Sequence, residues 1–452
     1  MPFCFNCGIE MKQEEKYCAN CGSPQEDMKM IYHEQQNVTP SRRPAIHFIL
    51  LLLGFMIIGG GIAAILMLPE NTFTISNFSN QFEDKETTDK QNHDTETPVK
   101  SEEVINVPED YLSIQEAIDN AHSGATIIVK TGTYHENIDF KGKEITLKST
   151  DPANPDIVKN TVIDGNNNGS VVSFLSGEAN AAKLDGFTIR GGSGTELSFV
   201  VSYLGERQTY NRVYGGGIII SGNSSPQITN NIIQDNIVRS TRRGVFGVGA
   251  GIAILDHSNP LIENNTIKSN YAEGYAGGIA VWYYSSPQLI NNTIELNSAE
   301  DIAGGILVAM ECSPTIIDNY ISNNSSHTSG GLYIAHRSSG LISDNTIYAN
   351  SSNIGAGILV WSTGDVDISD NHLELNEAEH YGGGLFVGNE STVTATGNVF
   401  KDNKAHNKGS AIWVAKGSRL NLMSPDSNSY SNNVPDNIVY SATSGPSRLP
   451  WP

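Results

Sequence analysis

The chain has 452 residues and a formal net charge of −21, yet only 17% of its residues are charged and 38% are hydrophobic. These values exclude a chain that is acidic and disordered throughout, and the acidic balance argues against a nucleic-acid binder, which needs a basic face. Five cysteines are too few for a disulfide scaffold. The 44 glycines and 45 asparagines predict many tight turns.

The first 25 residues hold two Cys-x2-Cys pairs, at Cys4 and Cys7 and at Cys18 and Cys21. Four thiolates supplied by two tight turns are the ligand set of a closed tetrahedral zinc site, which stabilises a fold and leaves no position open for catalysis. Two disulfides or free thiols are the alternative. The segment resembles the short zinc ribbons at the N-termini of many bacterial and archaeal membrane proteins, which implies structural Zn²⁺. A ribbon inside the cell could couple the chain to a cytoplasmic protein, although its contacts cannot be read from the sequence.

Residues 48–68 form an uncharged apolar stretch of 21 residues. As a helix it would extend about 31 Å, the thickness of a bilayer core. Arg42 and Arg43 precede it and Glu70 follows it, so the positive-inside rule places the N-terminus and the linker 26–47 in the cytoplasm. A cleaved signal peptide is the rival interpretation, although its apolar region would be shorter and nearer the start.

Residues 69–103 contain nine acidic residues and three lysines, with few apolar residues. This composition predicts a solvated, flexible stalk. The stalk would hold the rest of the chain away from the outer side of the cell membrane. The chain would then be a single-pass membrane protein, with an extracytoplasmic domain at 104–440 and a tail at 441–452.

The extracytoplasmic domain begins with signals for one short helix. Ser113 and Glu116 match a capping box. Ile114, Ala117, Ile118 and Ala121 follow helical spacing, and Gly124 ends the helix. Strand-like runs follow at 126–129, 145–149, 161–165, 171–174 and 186–192. Residues 193–214 and 239–248 are expected to be irregular loops.

After Gly215 the chain repeats itself through seven units. Two asparagine columns stay in phase, with most steps of 26 or 27 residues, and this is a solenoid period. The columns are Asn231, Asn265, Asn292, Asn319, Asn345, Asn371 and Asn398, and Asn236, Asn270, Asn297, Asn324, Asn350, Asn376 and Asn403. Three short strands per unit predict an all-β parallel β-helix of about ten coils. Asparagines at one turn would then form a hydrogen-bonded ladder along the stack.

The repeats, together with the segment from Val104 to Gly192, resemble the right-handed parallel β-helix proteins of the pectate-lyase/pectinesterase superfamily. The likeness covers about 337 residues and is specific for fold rather than function. Gly132, Tyr134 and Glu136 match the superfamily's Gly-x-Tyr-x-Glu box, a packing and turn element that non-enzymes share. The tight catalytic segments of pectinesterases, polygalacturonases and epimerases are missing. The sequence therefore favours a protein without catalysis, and Ca²⁺, although possible, has no supporting motif.

Two groups of residues suggest a binding face. Outward positions of the first strand in each unit include five aromatic residues, Trp282, Tyr333, Trp361, Phe386 and Trp413. An exposed row of this kind could stack on sugar rings. The superfamily usually carries its substrate groove on the same strand face. The alternative is that these rings stack between coils or are covered by neighbouring loops.

Six of the eleven arginines lie between residues 190 and 250. They are Arg190, Arg207, Arg212, Arg239, Arg242 and Arg243. Guanidinium groups suit the carboxylate or sulfate groups of an acidic glycan, whereas ion pairs within an acidic protein are the plainer interpretation. Glu311 and Arg337 share an offset in adjacent units and are expected to form an ion pair. His257 and His336 are expected to be surface histidines. Cys312 is expected to be a half-buried thiol.

Three functions remain open on the sequence alone. The first is a membrane-anchored β-helix that binds or organises polysaccharide at the cell surface. The second is a polysaccharide lyase, hydrolase or epimerase with a diverged site. The third is a structural spacer or adhesin. An enzyme needs two or three convergent ionisable groups in one cleft, which separates it from the other two.

Overall fold

The computed structural model describes residues 103–203, 206–240, 245–423 and 427–442, all within one compact unit, Glu96–Pro452. The predicted zinc cysteines, the predicted span at 48–68, the stalk as far as residue 102, and Arg242 and Arg243 lie outside the described residues and stay predictions. Among the helices in these described ranges, none has the length and hydropathy needed to cross a bilayer.

Three long parallel sheets form the body of the domain, and each complete coil of the chain contributes one strand to each sheet. Sheet 1 has twelve strands: Val104–Val107, Thr126–Val129, Thr146–Ser149, Lys183–Asp185, Gln227–Thr229, Leu261–Glu263, Gln288–Ile290, Thr315–Ile317, Gly340–Ser343, Asp365–Ser369, Thr392–Thr396 and Arg419–Leu422. Sheet 2 has eleven: Ile138–Asp139, Val172–Phe174, Ile218–Ile220, Ile252–Ile254, Ile279–Trp282, Ile306–Ala309, Leu332–Ala335, Ile358–Trp361, Leu385–Gly388, Ile412–Val414 and Ile438–Tyr440.

Sheet 3 also has eleven strands: Gly132–Tyr134, Thr161–Asp164, Thr188–Arg190, Ile232–Gln234, Thr266–Lys268, Thr293–Glu295, Tyr320–Ser322, Thr346–Tyr348, His372–Glu374, Val399–Lys401 and Ser429–Ser431. Two small sheets extend the turns between sheets 3 and 2: Ile237–Val238, Tyr271–Ala272 and Ser298–Ala299, and Ser351–Ile354, Glu377–Tyr381 and Lys404–Ala405. Equivalent residues of successive coils pair in register, as Ile279 pairs with Ile306 and Ile294 with Ile321. The predicted parallel β-helix is therefore confirmed.

The interior of the coil is a continuous apolar column. Alternate residues of each strand point into it, and most are isoleucine, valine or leucine. Ile279 and Val281 are fully buried there, as are Ile294 and Leu289 on the other two sheets. The β-branched isoleucines and valines fit the pleated inner surface, so the same pattern that forms the strands also fills the core.

The helix α1, Ile114–Asn120, covers the N-terminal end of this column. Its apolar face, with Ile114, Ala117 and Ile118, is fully buried, as predicted. The Ser113 hydroxyl caps the helix by accepting the N–H of Glu116 at 3.1 Å. The carboxylate of Glu136 accepts the N–H groups of Ile114 and Gln115, both at 2.9 Å. The Gly-x-Tyr-x-Glu box thus holds the capping helix in place. A second short helix, α2 (Pro155–Asn160), lies beside sheet 3.

Both predicted asparagine ladders are present and run the length of the repeats. In each, the side-chain N–H₂ group donates to the amide oxygen of the asparagine one coil further on, as Asn319 Nδ2 does to Asn345 Oδ1 at 3.0 Å. The same amide group also donates to Leu289 O at 2.8 Å, and its oxygen accepts the backbone N–H of Asn292 at 2.9 Å. The ladders extend one step further than predicted, to Asn428 and Asn433.

A third ladder lies at the turn between sheets 2 and 1, and the sequence analysis did not predict it. Backbone N–H groups donate to the hydroxyl of the next coil, from Ser224 to Ser258 and from Ser258 to Ser285, each at 3.2 Å. Cys312 takes the place of a serine, since its sulfur accepts from Ser285 at 3.3 Å and its N–H donates to Ser338 at 3.2 Å. The thiol is 1% exposed and thus fully buried rather than half-buried.

The expectation of an irregular loop at 193–214 is wrong. Thr195–Tyr203 and Glu206–Tyr214 pair along their whole length as an antiparallel hairpin, here called the cover hairpin. A two-residue connection and alternating apolar residues such as Leu197 and Phe199 agree with a hairpin. Its second strand joins Gly247–Val248 in parallel over two residues, which attaches it to the coil.

The ladders predict that removing one asparagine amide lowers the free energy of unfolding substantially. Asn319→Ala should lower the free energy of unfolding by about 2–4 kcal/mol, because it leaves the buried backbone N–H of Asn292 without its acceptor and removes one hydrogen bond each from the amides of Asn292 and Asn345. Denaturant unfolding monitored by circular dichroism measures this cost. Asn421→Ala, at an exposed asparagine of the last strand of sheet 1, is the matched control and should change stability by less than about 0.5 kcal/mol.

Candidate functional site

The five aromatic residues proposed for sugar stacking do lie on the outer face of sheet 2, but the expectation that they are exposed is wrong. Trp282, Tyr333 and Phe386 are 0% exposed and Trp413 is 2% exposed, and only Trp361 is half-buried. They belong to a second apolar cluster, outside the coil, which includes Tyr214, Tyr275 and Ile302. The rings instead stack between coils and are covered by neighbouring parts of the chain, which was the alternative interpretation.

The strand register divides these aromatic residues into two columns. Tyr333, Phe386 and Trp413 follow one line through the sheet, and Trp282 and Trp361 follow another, two residues further along the strand. Phe386 and Trp413 stack with ring centroids 4.5 Å apart. Trp361 lies against Gly388, where a Cβ would come within 2.6 Å of its ring, so only glycine fits there. The columns are therefore packed interiors rather than open platforms.

The cover hairpin lies over part of this face. Phe199 packs on Tyr283 at 4.9 Å and meets the edge of Tyr214 at 5.6 Å, while Tyr214 meets the edge of Trp282 at 6.4 Å. Cover by neighbouring chain was the alternative interpretation of the sequence, but the covering residues were expected to be an irregular loop rather than a hairpin. The aromatic face near Trp282 is thus closed in the described structure.

The described arginines of the 190–243 stretch do not form one basic patch, because each has a different setting. Arg190 pairs with Asp164 at 2.9 Å. Arg239 is exposed, with its guanidinium 5.1 Å from the ring of Tyr271. Arg212 is 8% exposed and lies among aromatic rings. Arg242 and Arg243 lie outside the described residues, and Arg207 is described only in its backbone.

An open groove of about 620 Å³ lies at the turn between sheets 2 and 1. We call it the amide groove, because amide side chains of successive coils line much of it. Its lining comprises Gly177, Glu178, Ala179, Asn180, Asn223, Ser225, Gln227, Asn259, Leu261 and Gln288. Leu261 provides apolar surface between Gln227 and Gln288, which are its register partners in the adjacent strands.

Some of these amides are fixed and others are free. Asn259 accepts the N–H of Ser286 at 2.6 Å and donates to the carbonyl of His257 at 3.0 Å. Gln227 donates to the carbonyl of Asn180 at 2.7 Å. Asn180, Asn223 and Gln288 are exposed, and their side-chain amides have no hydrogen-bond partner among the described residues. Each free amide can donate and accept at once, as neighbouring sugar hydroxyls require.

One carboxylate borders the groove but is already occupied. Glu178 is fully buried and accepts from Gly142 N at 2.8 Å, Ser176 N at 3.1 Å and Ser224 Oγ at 2.7 Å. It therefore closes the N-terminal end of the serine ladder. The remaining lining is neutral, so the groove suits hydroxyl groups better than ions.

A row of exposed turn residues, one from each coil, continues the turn position that Asn223 of the groove occupies. The rings of His257 and Tyr284 stack at 5.0 Å with an interplanar angle of 16°, and Tyr284 is 51% exposed. Glu311 and Arg337 continue the row and form the predicted ion pair, with Arg337 Nε 3.1 Å from Glu311 Oε1. Paired residues in this turn have positive φ, such as 54° at Tyr283 and 61° at Tyr284, which turns the chain sharply at every coil.

Two titratable groups lie near this row, the buried Cys312 and the half-buried His336. Burial raises the pKa of the Cys312 thiol to about 12, which keeps it protonated and unreactive. Burial, together with the neighbouring Arg337, lowers the pKa of His336 to about 4. His257 is exposed, as predicted, whereas His336 is half-buried, so the prediction of a surface histidine is wrong there.

Within residues 103–442, apart from the undescribed gaps, no group of three or more His, Cys, Asp or Glu side chains is arranged to hold a metal ion. The predicted zinc ligands Cys4, Cys7, Cys18 and Cys21 precede the described residues, and that site stays a prediction. The possible Ca²⁺ is likewise untested.

The stacked parallel sheets and their ladders agree with one protein family. The family model described as right handed beta helix region matches residues 208–400 and 291–434, which together span just over half of the chain. The chain belongs to this family. A search of the curated proteins and of the solved structures gives no match for this chain. Membership of this family indicates that the coil is right-handed, but it does not by itself identify a ligand.

The lowered pKa of His336 predicts a loss of stability in mild acid. Folded His336 stays neutral down to about pH 4, whereas a histidine in the unfolded chain takes up its proton near pH 6.5. Its contribution to stability is complete above about pH 6.5 and is lost as the pH falls towards 4. The loss should be on the order of 2 kcal/mol.

Denaturant unfolding of wild type and His336→Gln at pH 7 and pH 4.5 measures this loss. The wild-type protein should lose more stability than the variant over that interval. His257→Gln, at an exposed histidine of the same turn, is the control and should keep the wild-type dependence. Equal pH dependence in wild type and His336→Gln would contradict the assignment.

Proposed function

We propose that this protein binds polysaccharide through the amide groove and does so without cleaving it. The observation that carries the proposal is the set of free, exposed amides of Asn180, Asn223 and Gln288 in one groove that crosses several coils. A polymer lying along the rod would meet similar groups at a regular spacing of about 4.8 Å, since the coils stack at that distance. Repeated weak contacts of this kind suit a chain of sugars.

The surroundings of the groove agree with this ligand. Tyr284, stacked on His257, offers exposed aromatic surface in the row of turns that includes Asn223, and Leu261 offers an apolar patch within the groove. Sugars present both hydroxyl edges and flat C–H faces, so this mixture of amide and apolar surface is complementary to them. Hydrogen bonds at the groove are to neutral groups, which favours binding that is only weakly dependent on salt.

The proposal extends to location and architecture. A membrane span at 48–68 with a cytoplasmic N-terminus would display the β-helix outside the cell, and a zinc ribbon at Cys4 to Cys21 would remain inside to contact a cytoplasmic protein. What supports this is the uncharged stretch with preceding arginines and the spacing of the cysteines. The protein would then link a surface polysaccharide to the cell membrane.

Binding by the full-length protein to immobilised neutral and acidic polysaccharides tests the proposal, with and without a calcium chelator. The double variant Asn180→Ala/Gln288→Ala should bind about tenfold or more weakly than wild type, since each lost hydrogen bond contributes about 0.5–1.5 kcal/mol. The control Asn407→Ala/Asn421→Ala, which removes two exposed amides outside the groove, should bind like wild type.

Release of new chain ends is measured in the same incubations. No new ends should form on any retained polymer. New ends that disappear on chelation would indicate a lyase and contradict the proposal. Failure to retain any polymer would favour a spacer or a protein adhesin instead.

A further inference from the structure

The C-terminal end of the β-helix lacks the cover that α1 gives to the N-terminal end. The last coil has five apolar side chains at inward positions: Leu420, Leu422, Tyr430, Ile438 and Tyr440. Their register partners in the preceding coil are Val393, Ala395, Phe400, Ile412 and Val414. Each of these partners is at most 1% exposed, whereas none of the five is fully buried and Tyr440 is 63% exposed. The apolar column is therefore open at this end of the described structure.

Backbone hydrogen-bonding groups also lack partners at this end. The last strand of each long sheet pairs on one side only within the described chain. In earlier coils the backbone N–H of each ladder asparagine donates to the next asparagine, as Asn398 does to Asn428 at 2.9 Å. The ladders end at Asn428 and Asn433, which are buried, and no later coil of the described chain accepts their N–H groups. An open sheet edge of this kind is a template for pairing with another chain.

We propose that this end is a dimerisation surface, on which a second copy of the chain covers the open column end to end. A two-fold axis in the end face would bring the same sheet edges and the same apolar side chains of both copies together. An edge strand presents N–H and C=O groups in alternation, so it can pair with its own copy. Because α1 closes the N-terminal end, the association stops at two copies and does not continue as a filament.

The end face is large enough for a stable dimer. A coil of about 26 residues, at about 3.3 Å per residue, has a perimeter of about 86 Å and encloses at most about 590 Å². Outward side chains widen this face to roughly 800 Å², which is the area that each partner contributes to a protein interface of standard size. A second copy would therefore cover the column without further contacts along the rod.

Two charges on the rim of the end face fit the two-fold arrangement. Arg419 begins the last strand of sheet 1, and Asp436 lies in the turn before the last strand of sheet 2. Both are exposed, and neither side chain has an ion pair or hydrogen bond within the described chain. A two-fold axis midway between them exchanges their positions, so Arg419 of each copy would face Asp436 of the other. The rims of two copies are thus complementary in charge.

Sedimentation equilibrium of the full-length protein in mild detergent measures the association, and wild type should be a dimer. Tyr440→Glu places a charge within the end face and should weaken the dimer at least about tenfold, because the charge would be buried without a partner. Its circular dichroism spectrum should match wild type, since Tyr440 is exposed in the single chain. Leu296→Glu, at a leucine that is 56% exposed on the side of the rod, is the control and should dimerise like wild type. A monomeric wild type, or wild-type affinity in Tyr440→Glu, would overturn the proposal.

Charge reversal tests the two-fold arrangement. Arg419→Glu and Asp436→Arg each create two like-charge contacts in a dimer of one variant, so each alone should associate about threefold to tenfold more weakly than wild type. In a mixture of the two variants, heterodimers regain two attractive pairs, and association should return to the wild-type strength. No recovery on mixing would contradict the two-fold pairing of Arg419 with Asp436.

A benzophenone side chain at position 440 identifies what covers the end. In a mixture of isotopically light and heavy full-length protein, cross-links should join position 440 of one copy to residues 416–442 of the other. Cross-links confined to residues 443–452 of the same copy would mean that the chain covers its own end, which would overturn the proposal.

Discussion

The buried asparagine amides are the interaction on which this structure depends. A β-helix must turn the chain three times in every coil, and each turn exposes backbone groups that the next coil then buries. Asn319 shows how one residue meets this demand, because its amide donates to Asn345 and to Leu289 and accepts from Asn292. Two such ladders run the length of the repeats, so neighbouring coils are fixed in register by side chains as well as by strand pairing.

Fixed register has consequences for the outer surface. Residues at equivalent positions of successive coils are brought into rows, so a turn that carries an amide in several coils becomes a groove lined by amides. The serine ladder, with Cys312 in one position, secures this turn from inside, and Asn180, Asn223 and Gln288 face solvent outside it. On the outer face of sheet 2 the same stacking produces the opposite result, because large rings align with small residues such as Gly388 and close into a second core.

The fold could be predicted from the sequence because its signals repeat. The asparagine columns, the isoleucine alternation and the capping helix are each local patterns, and the ladder at Asn231 to Asn398 follows from spacing alone. The Ser-x-Pro-x segments at 224–227, 258–261 and 285–288 carry the signal for the serine ladder and its groove, but they are less regular and were not recognised.

The aromatic face shows what periodicity cannot predict. Spacing along a strand gives the direction of Trp282 and Tyr333, and that direction was predicted correctly. Whether an outward residue meets solvent depends on other parts of the chain, here the cover hairpin and the turn residues Tyr275 and Ile302. The hairpin occurs once and has no repeat to reveal it. The burial of Arg212 against Tyr275 and Trp282 likewise joins residues far apart in the sequence, so it could not be predicted.

We propose that a polysaccharide lies in the amide groove rather than on the aromatic face. A crystal structure of the protein soaked with an oligosaccharide that it retains tests this claim most directly. The account predicts sugar density along Asn180, Asn223 and Gln288, with hydroxyl groups within hydrogen-bond distance of the free amides. Density confined to the face around Trp361 and Trp413, with an empty groove, would contradict it.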